Sequence, residues 1–414
     1  MKDKSKGLSI GGNMLWNTVG SVIGLAAQWL VSILIVRLST NFDDAGAYSL
    51  AFSIYAIFVP VAVFRSDLYQ LSDVERKYSP GEYLSFRVIT CAGTFAAIVL
   101  YSLATGAAWC LPVVCAFTFW KTSSLVISCL HTTDQVNHRM DYVGQSVALQ
   151  GLASLAMFAC VFSATGNLML TLFLMAVVTL AIGLFLDLPR TRSLVDLKFE
   201  VSRKMVVDLG KSCLPIVASG LIVAAVPSLP RQFLSSEMGA AALGAYSSIA
   251  SPVAIVQSGI SFVYAPLIGY FSEAFQGVGP HSLKKLFSMS AVGVLVIGVV
   301  GVAGMAIVGP PVIRIMYGES ISQYLYLVTP MALSAVLLGF SSFMGDLLIA
   351  FKGYRLSLVN SAIVFLLMLT ALAPMQSAFN MNGPTANSIL TSAVASVLSI
   401  VGIVITLKAR RRSS

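Results

Sequence analysis

Long apolar runs alternate with short polar stretches along the whole chain of 414 residues. Each run is about 20 residues long, which is the length that an α-helix needs to cross a bilayer. Transmembrane β-strands would instead alternate apolar and polar residues over about ten positions. The pattern therefore predicts an all-α polytopic membrane protein with about twelve transmembrane helices, at residues 14–36, 47–64, 88–106, 109–130, 144–163, 168–187, 213–233, 241–264, 286–308, 323–343, 358–377 and 385–407.

Composition agrees with this class, since 57% of the residues are hydrophobic and only 10% are charged. Soluble domains carry about 25% charged residues, so a soluble globular protein is excluded. The longest polar connection, at residues 187–211, lies near the middle of the chain. We therefore predict two lobes of six helices each, formed by residues 1–195 and 196–414.

The basic residues predict the orientation of the chain. If the amino terminus is cytoplasmic, 22 of the 26 lysines and arginines fall on the cytoplasmic side, among them Lys2, Lys4 and Lys6. Such an excess is the positive-inside signature, so we expect both termini in the cytoplasm. The net charge of +9 then reflects topology and contact with anionic membrane lipids, and we expect no nucleic-acid partner.

A tetrapeptide, GAYS, occurs at Gly46–Ser49 and again at Gly244–Ser247. Each copy begins the second predicted span of its half, and each follows an arginine that ends the first span, Arg37 or Arg231. Because each half contains an even number of spans, both would enter the membrane in the same orientation. We interpret the halves as a parallel repeat, an arrangement found in transporters that rock around a central site.

Several longer stretches carry a family resemblance. The opening "NMLWNTVGSVIGLAAQWLVSILIVRL", then "DDAGAYSLAFSI" and "YQLSDVERKYSPGEYLSFRVIT", resemble Wzx-type polysaccharide flippases of the multidrug/oligosaccharidyl-lipid/polysaccharide (MOP) exporter superfamily. "DQVNHRMDYVGQS" and, in the second half, "AYSSIASPVAIVQSGISFVYAPLIGYFSEAF" are also similar to that family. The resemblance covers nearly the whole chain and indicates a family rather than a particular cargo.

The resemblance implies a two-lobed transporter of the bacterial cytoplasmic (inner) membrane. Such a flippase moves an undecaprenyl-diphosphate-linked oligosaccharide to the outer leaflet by alternating access, for surface polysaccharide assembly. Polysaccharide polymerases and chain-length regulators are its candidate protein partners. In that family the fourth helix often carries acidic residues after a basic one, whereas here Ser124 and Ser128 follow Lys121.

Four cations are the candidate substrate-binding residues. Lys121 lies in the middle of the fourth span, where a charge is costly unless it faces protein or water, and its ammonium suits a diphosphate or an acidic sugar. Arg37 and Arg231 occupy matching outer positions, where binding to the cargo and snorkelling to lipid headgroups are both open. Arg65, at the inner end of the second span, could meet the diphosphate or serve as a positive-inside anchor.

Two further features have local consequences. Pro227 and Pro230 precede Arg231 and predict a break in the seventh helix, because proline removes a backbone donor.

His131, Asp134 and His138 share one helix face, a spacing that superficially suggests a metal site. We interpret them as part of a solvated cytoplasmic connection, and we expect no metal and no catalytic residue.

No GxxxxGK[ST] loop is present, so we expect no ATP hydrolysis and no nucleotide cofactor.

Two alternatives to the flippase stay open. A cation-coupled multidrug exporter of the same superfamily would need an acidic site within the membrane. A membrane-bound polysaccharide polymerase or ligase would need catalytic groups on a large external loop, and the external loops here are short.

Overall fold

The computed structural model describes residues 10–73, 76–277 and 282–413, with side chains from 11 to 410. Lys2, Lys4 and Lys6 lie outside the described residues. Its twelve long helices, labelled α1 to α12 here, are Ile10–Leu38, Asp43–Val63, Pro80–Ala104, Leu111–Val136, Met140–Thr165, Leu168–Ile182, Arg203–Met238, Ala240–Tyr264, Leu283–Ile307, Val328–Ala350, Tyr354–Phe379 and Gly383–Ser413.

Each predicted span coincides with one of these helices, which confirms the all-α polytopic class. Eleven helical stretches within the described ranges are long and apolar enough to cross a membrane, and the last, Tyr354–Arg410, contains both α11 and α12. The tenth span was predicted several residues too early, at 323–343. A 3-10 segment, Glu319–Leu327, precedes α10, and its tyrosines and leucines resemble a span in composition.

The helix ends follow from identifiable residues. Ser79 caps α3, since its side chain accepts a hydrogen bond from the Glu82 backbone N–H and Glu82 reaches back to Ser79. This capping box supplies partners for amides that a helix start leaves unpaired. As a result α3 begins at Pro80, eight residues before the predicted span, and Arg87 is a buried residue within α3 rather than part of a loop.

The chain divides into two compact units, Met1–Ala224 and Ala225–Ser414. Within the first unit α2 packs on α3 and α4, α3 on α4, α4 on α6, and α5 on α6. Within the second unit the same five pairings recur six helices later, for α8 to α12. The last five helices of each set are therefore packed alike, as expected for a repeat, whereas the pairing of α1 with α5 has no counterpart between α7 and α11 among the extensive contacts of the described residues. The boundary at residue 195 stays a prediction.

Glycines bring α1 and α5 together in the first unit. A side-chain carbon added at Gly20 would overlap the backbone of Gly144, and one added at Gly144 would overlap the carbonyl of Trp16. A carbon at Gly151 would lie 2.9 Å from the Cα of Gly24. Small residues of this kind let membrane helices approach closely and gain van der Waals contact.

Helix α7 is continuous, which makes the predicted break at Pro227 and Pro230 wrong. Its first half belongs to the first unit, where Leu209 is buried in a cluster with residues of α3 and α4.

Beside this cluster, Asp208 accepts hydrogen bonds from Lys77 Nζ at 2.9 Å and from Tyr78 Oη at 2.6 Å. The bond to Asp208 raises the pKa of the Lys77 ammonium, which stays charged at neutral pH.

Candidate functional site

Lys121 lies halfway along α4 and is half-buried. Its Nζ donates a hydrogen bond to Gln28 Oε1 of α1 at 3.2 Å. The same nitrogen lies 3.9 Å from the centroid of the Trp120 ring and 5.8 Å from that of Phe117. An ammonium has three donors, and Gln28 accepts from one of them. Lys121 can therefore still donate to an anionic group while the aromatic faces stabilise its charge.

An aromatic cluster supports this lysine. The Phe117 ring centroid lies 5.2 Å from Tyr48, 6.2 Å from Phe52, 5.7 Å from Tyr55 and 5.8 Å from Trp120, all in edge-to-face contacts. Such contacts each stabilise packing by about 0.5–1.5 kcal/mol beyond burial. The tyrosine of the first GAYS copy, Tyr48, thus helps to fix the part of α4 that carries the cation.

The other two candidates of the first unit lie at different levels. Arg37 is exposed in the last turn of α1, nine residues beyond Gln28, or about 14 Å along the helix. Arg65 is exposed beyond the end of α2 and has a left-handed backbone, with φ 54°. The structure therefore spreads Lys121, Arg37 and Arg65 along the unit rather than gathering them into one cluster.

Arg231 belongs to the second unit. It is half-buried in α7. Tyr246, the tyrosine of the second GAYS copy, is buried in α8. The Tyr246 hydroxyl lies 3.1 Å from Thr385 Oγ1 of α12. Both copies of the motif therefore place a buried tyrosine in the first two turns of the second helix of their unit, beside different partners.

The interpretation of His131 and Asp134 as a solvated connection is wrong. Both are buried within α4, and Asp134 is fully inaccessible. His131 Nε2 lies 3.5 Å from Oδ1 of Asp187, which follows α6 and is also fully buried. His138 alone is exposed. The sequence showed that His131 and Asp134 share a helix face. It gave no sign that Asp187 lies beside His131, because Asp187 is more than 50 residues farther along the chain. Among the described residues, no set of His, Cys, Asp or Glu side chains is arranged to hold a metal ion.

Comparison with solved structures identifies the class of fold. The lipid II flippase MurJ, in an inward closed conformation, superposes with a TM-score of 0.69 and 11% identity, covering 94% of this chain and 87% of that one. An inward-facing multidrug resistance MATE family transporter of the MOP superfamily gives a TM-score of 0.65 and 13% identity, covering 96% and 99%. The chain therefore has the same fold as these solved transporters over nearly its whole length.

Sequence comparison adds one relative. The chain is 22% identical over 367 residues to the capsular polysaccharide biosynthesis protein CapF of Staphylococcus aureus, covering 86% of this chain and 90% of the relative. No family model matches the chain.

Proposed function

We propose that this protein is a membrane transporter of the flippase type, which moves a lipid-linked oligosaccharide from the inner to the outer leaflet by alternating access. The MOP-superfamily fold supports transport, and the likeness to MurJ and to a capsule biosynthesis protein supports a lipid-linked glycan cargo. The undecaprenyl diphosphate carrier and the use of the glycan at the cell surface belong to the same proposal.

Lys121 is the observation that carries it. A cation halfway along a helix of membrane-spanning length, held by an amide and two aromatic rings, suits an anionic headgroup with sugars attached. The ammonium supplies a point charge for phosphate, and the buried ring of Trp120 holds that ammonium in place. A cationic drug would be repelled at this position, which disfavours the multidrug exporter. Arg37, Arg65 and Arg231 are proposed as further contacts along the path of the headgroup.

Complementation of a strain that lacks the gene tests the proposal. We expect Lys121→Ala to lower surface glycan at least tenfold and to accumulate lipid-linked oligosaccharide on the cytoplasmic side, while Lys121→Arg retains part of the export. Lys198→Ala is the matched control, because the Lys198 side chain is 72% exposed in the connection before α7. Membrane amounts of each variant are compared by immunoblot.

Three results would contradict the proposal. Full export by Lys121→Ala would remove the lysine from the mechanism. Unchanged surface glycan in the deletion strain, together with new sensitivity to cationic drugs, would favour the exporter instead. Glycan polymerised by the purified protein alone would favour the polymerase or ligase.

A further inference from the structure

The side-chain amide of Gln28 on α1 is bonded at its oxygen and unbonded at its nitrogen. Lys121 Nζ donates to Gln28 Oε1 at 3.2 Å. An ammonium has donors and no acceptor, so the amide oxygen is the atom that must face it. The amide NH2 group is therefore directed away from the ammonium, and it makes no hydrogen bond within the described part of the chain.

The amide nitrogen of Gln28 and the ammonium nitrogen of Lys121 lie close enough to hold one anion. The oxygen and nitrogen of an amide are about 2.2 Å apart, given its C=O and C–N bond lengths. Added to the 3.2 Å hydrogen bond, this separation places Gln28 Nε2 within about 5.4 Å of Lys121 Nζ. Hydrogen bonds from nitrogen to an anionic oxygen span about 2.7–2.9 Å. Two donors at this spacing therefore reach different oxygens of one phosphoryl or carboxylate group.

The two side chains are accessible to a ligand. Gln28 is exposed and Lys121 is half-buried, and the extensive contacts of α1 are with α2 and α5 rather than with α4. The ion pairs of the described residues do not include Lys121. A positive charge that no carboxylate neutralises therefore lies beside an amide that offers two N–H donors.

Both side chains are attached to backbone that neighbouring contacts hold in place. Ala27, next to Gln28, is buried against α5, since a side-chain carbon added at Gly151 would lie 3.3 Å from Ala27 Cβ. On α4, the aromatic cluster around Phe117 holds the turn that carries Lys121. Donors that are held in place lose little conformational freedom when a ligand binds, and this favours affinity.

We propose that Gln28 and Lys121 form one oxyanion clamp, in which the Gln28 amide is a second substrate-binding group and a determinant of specificity. This inference rests on the proposed function, since the oxyanion belongs to the lipid-linked cargo. It is a phosphate of the carrier or the carboxylate of an acidic sugar. The ammonium attracts any anion as a point charge, whereas the amide adds a directional donor for a second oxygen of the same group.

The neutral amide also explains how Lys121 can be held without losing its charge. A glutamate at position 28 would accept the same hydrogen bond from Nζ, but its carboxylate would neutralise the ammonium and repel an anion. A methionine there would have a similar length and would offer neither the acceptor nor the N–H donors. Gln28→Glu and Gln28→Met therefore remove different parts of the clamp.

Titration calorimetry of the purified full-length protein in phosphatidylcholine nanodiscs tests the clamp with sodium pyrophosphate as the probe. We expect Gln28→Met to weaken binding by about tenfold or more, the effect of losing one hydrogen bond to a charged group, and Gln28→Glu to abolish it. Gln276→Met is the matched control, because Gln276 is an exposed glutamine of the second unit, and it should bind as the wild type does. The same titration with sodium glucuronate separates the two sources, since the clamp is assigned to the phosphate or to the acidic sugar by the tighter ligand.

A signal from the amide itself separates a ligand-binding residue from one that only positions Lys121. In protein labelled with 15N-glutamine, the side-chain NH2 protons of Gln28, assigned by their loss in Gln28→Met, should move downfield when pyrophosphate binds to the wild type.

Three results would overturn the clamp. The first is a Gln28 signal that stays in place at saturating pyrophosphate, and the second is equal affinity in the wild type and Gln28→Met. The third is a wild type that binds neither anion at millimolar concentration. Anion binding that depends on both residues, together with unchanged surface glycan in a strain that lacks the gene, would contradict only the proposed function.

Discussion

Arg87 and Lys121, two cations of the first unit, differ in the groups that surround their charge. Arg87 is fully buried, and its guanidinium is bonded to the Asp67 carboxylate and to Ser66 Oγ. Lys121 is half-buried, and its Nζ meets Gln28 and aromatic rings instead of a carboxylate among the described residues. A charge that is already neutralised stabilises the fold, whereas one that is not can receive an anion. Arg87 therefore has a structural role and Lys121 a candidate functional one.

This distinction predicts the effect of removing Arg87. Arg87→Ala leaves the Asp67 carboxylate, which is 31% exposed, without its partner, and the loss of a charged hydrogen-bond partner costs about 1–3 kcal/mol. We expect a clear fall in the melting temperature of the detergent-solubilised protein. Arg314→Ala is the control, because Arg314 and Glu319 form an exposed pair at 3.6 Å, and such pairs contribute about 0–1 kcal/mol. Equal melting temperatures for both variants would contradict the assignment.

Among the elements, α1 and α5 are joined by backbone contact rather than by interlocking side chains. We expect Gly144→Ala to lower the free energy of unfolding by about 1–3 kcal/mol, the range for overpacked cores, because the new methyl group would overlap the Trp16 carbonyl. Gly93→Ala in α3 meets no atom within 4 Å and should be neutral or stabilising by up to about 1 kcal/mol. Thermal unfolding of both variants checks the difference. If Gly144→Ala is as stable as Gly93→Ala, the close crossing is incorrect.

For the whole molecule, the distribution of basic residues predicts which ends of the helices face the cytoplasm. In a Cys160→Ser background, Ser163→Cys near the end of α5 should react with a membrane-impermeant maleimide in intact cells. Ser193→Cys, in the short helix Leu188–Leu194 that follows α6, should react only after the cells are permeabilised. Both serines are exposed, so accessibility to the reagent reports the side of the membrane. The reverse labelling pattern would invert the proposed topology and place the termini outside.

Local information was enough to predict the elements of this protein. Apolar runs of membrane-spanning length identified all twelve helices, because a chain in lipid must satisfy its backbone hydrogen bonds within each span. The errors fell where composition is ambiguous, at the tenth span, or where the local rule for proline predicted the end of a helix. Pro227 and Pro230 are of the second kind, since α7 continues through both.

The sequence by itself determined the class of protein, the twelve helices and the lysine halfway along the fourth of them, because hydrophobic length and a charge within an apolar run are local properties. Only the tertiary structure decided which polar groups meet. It joined Lys121 to Gln28, Arg87 to Asp67, and His131 to Asp187, which is 56 residues farther along the chain. Contacts of this kind depend on how the helices cross and on the turns within them. No local pattern in a single sequence specifies either.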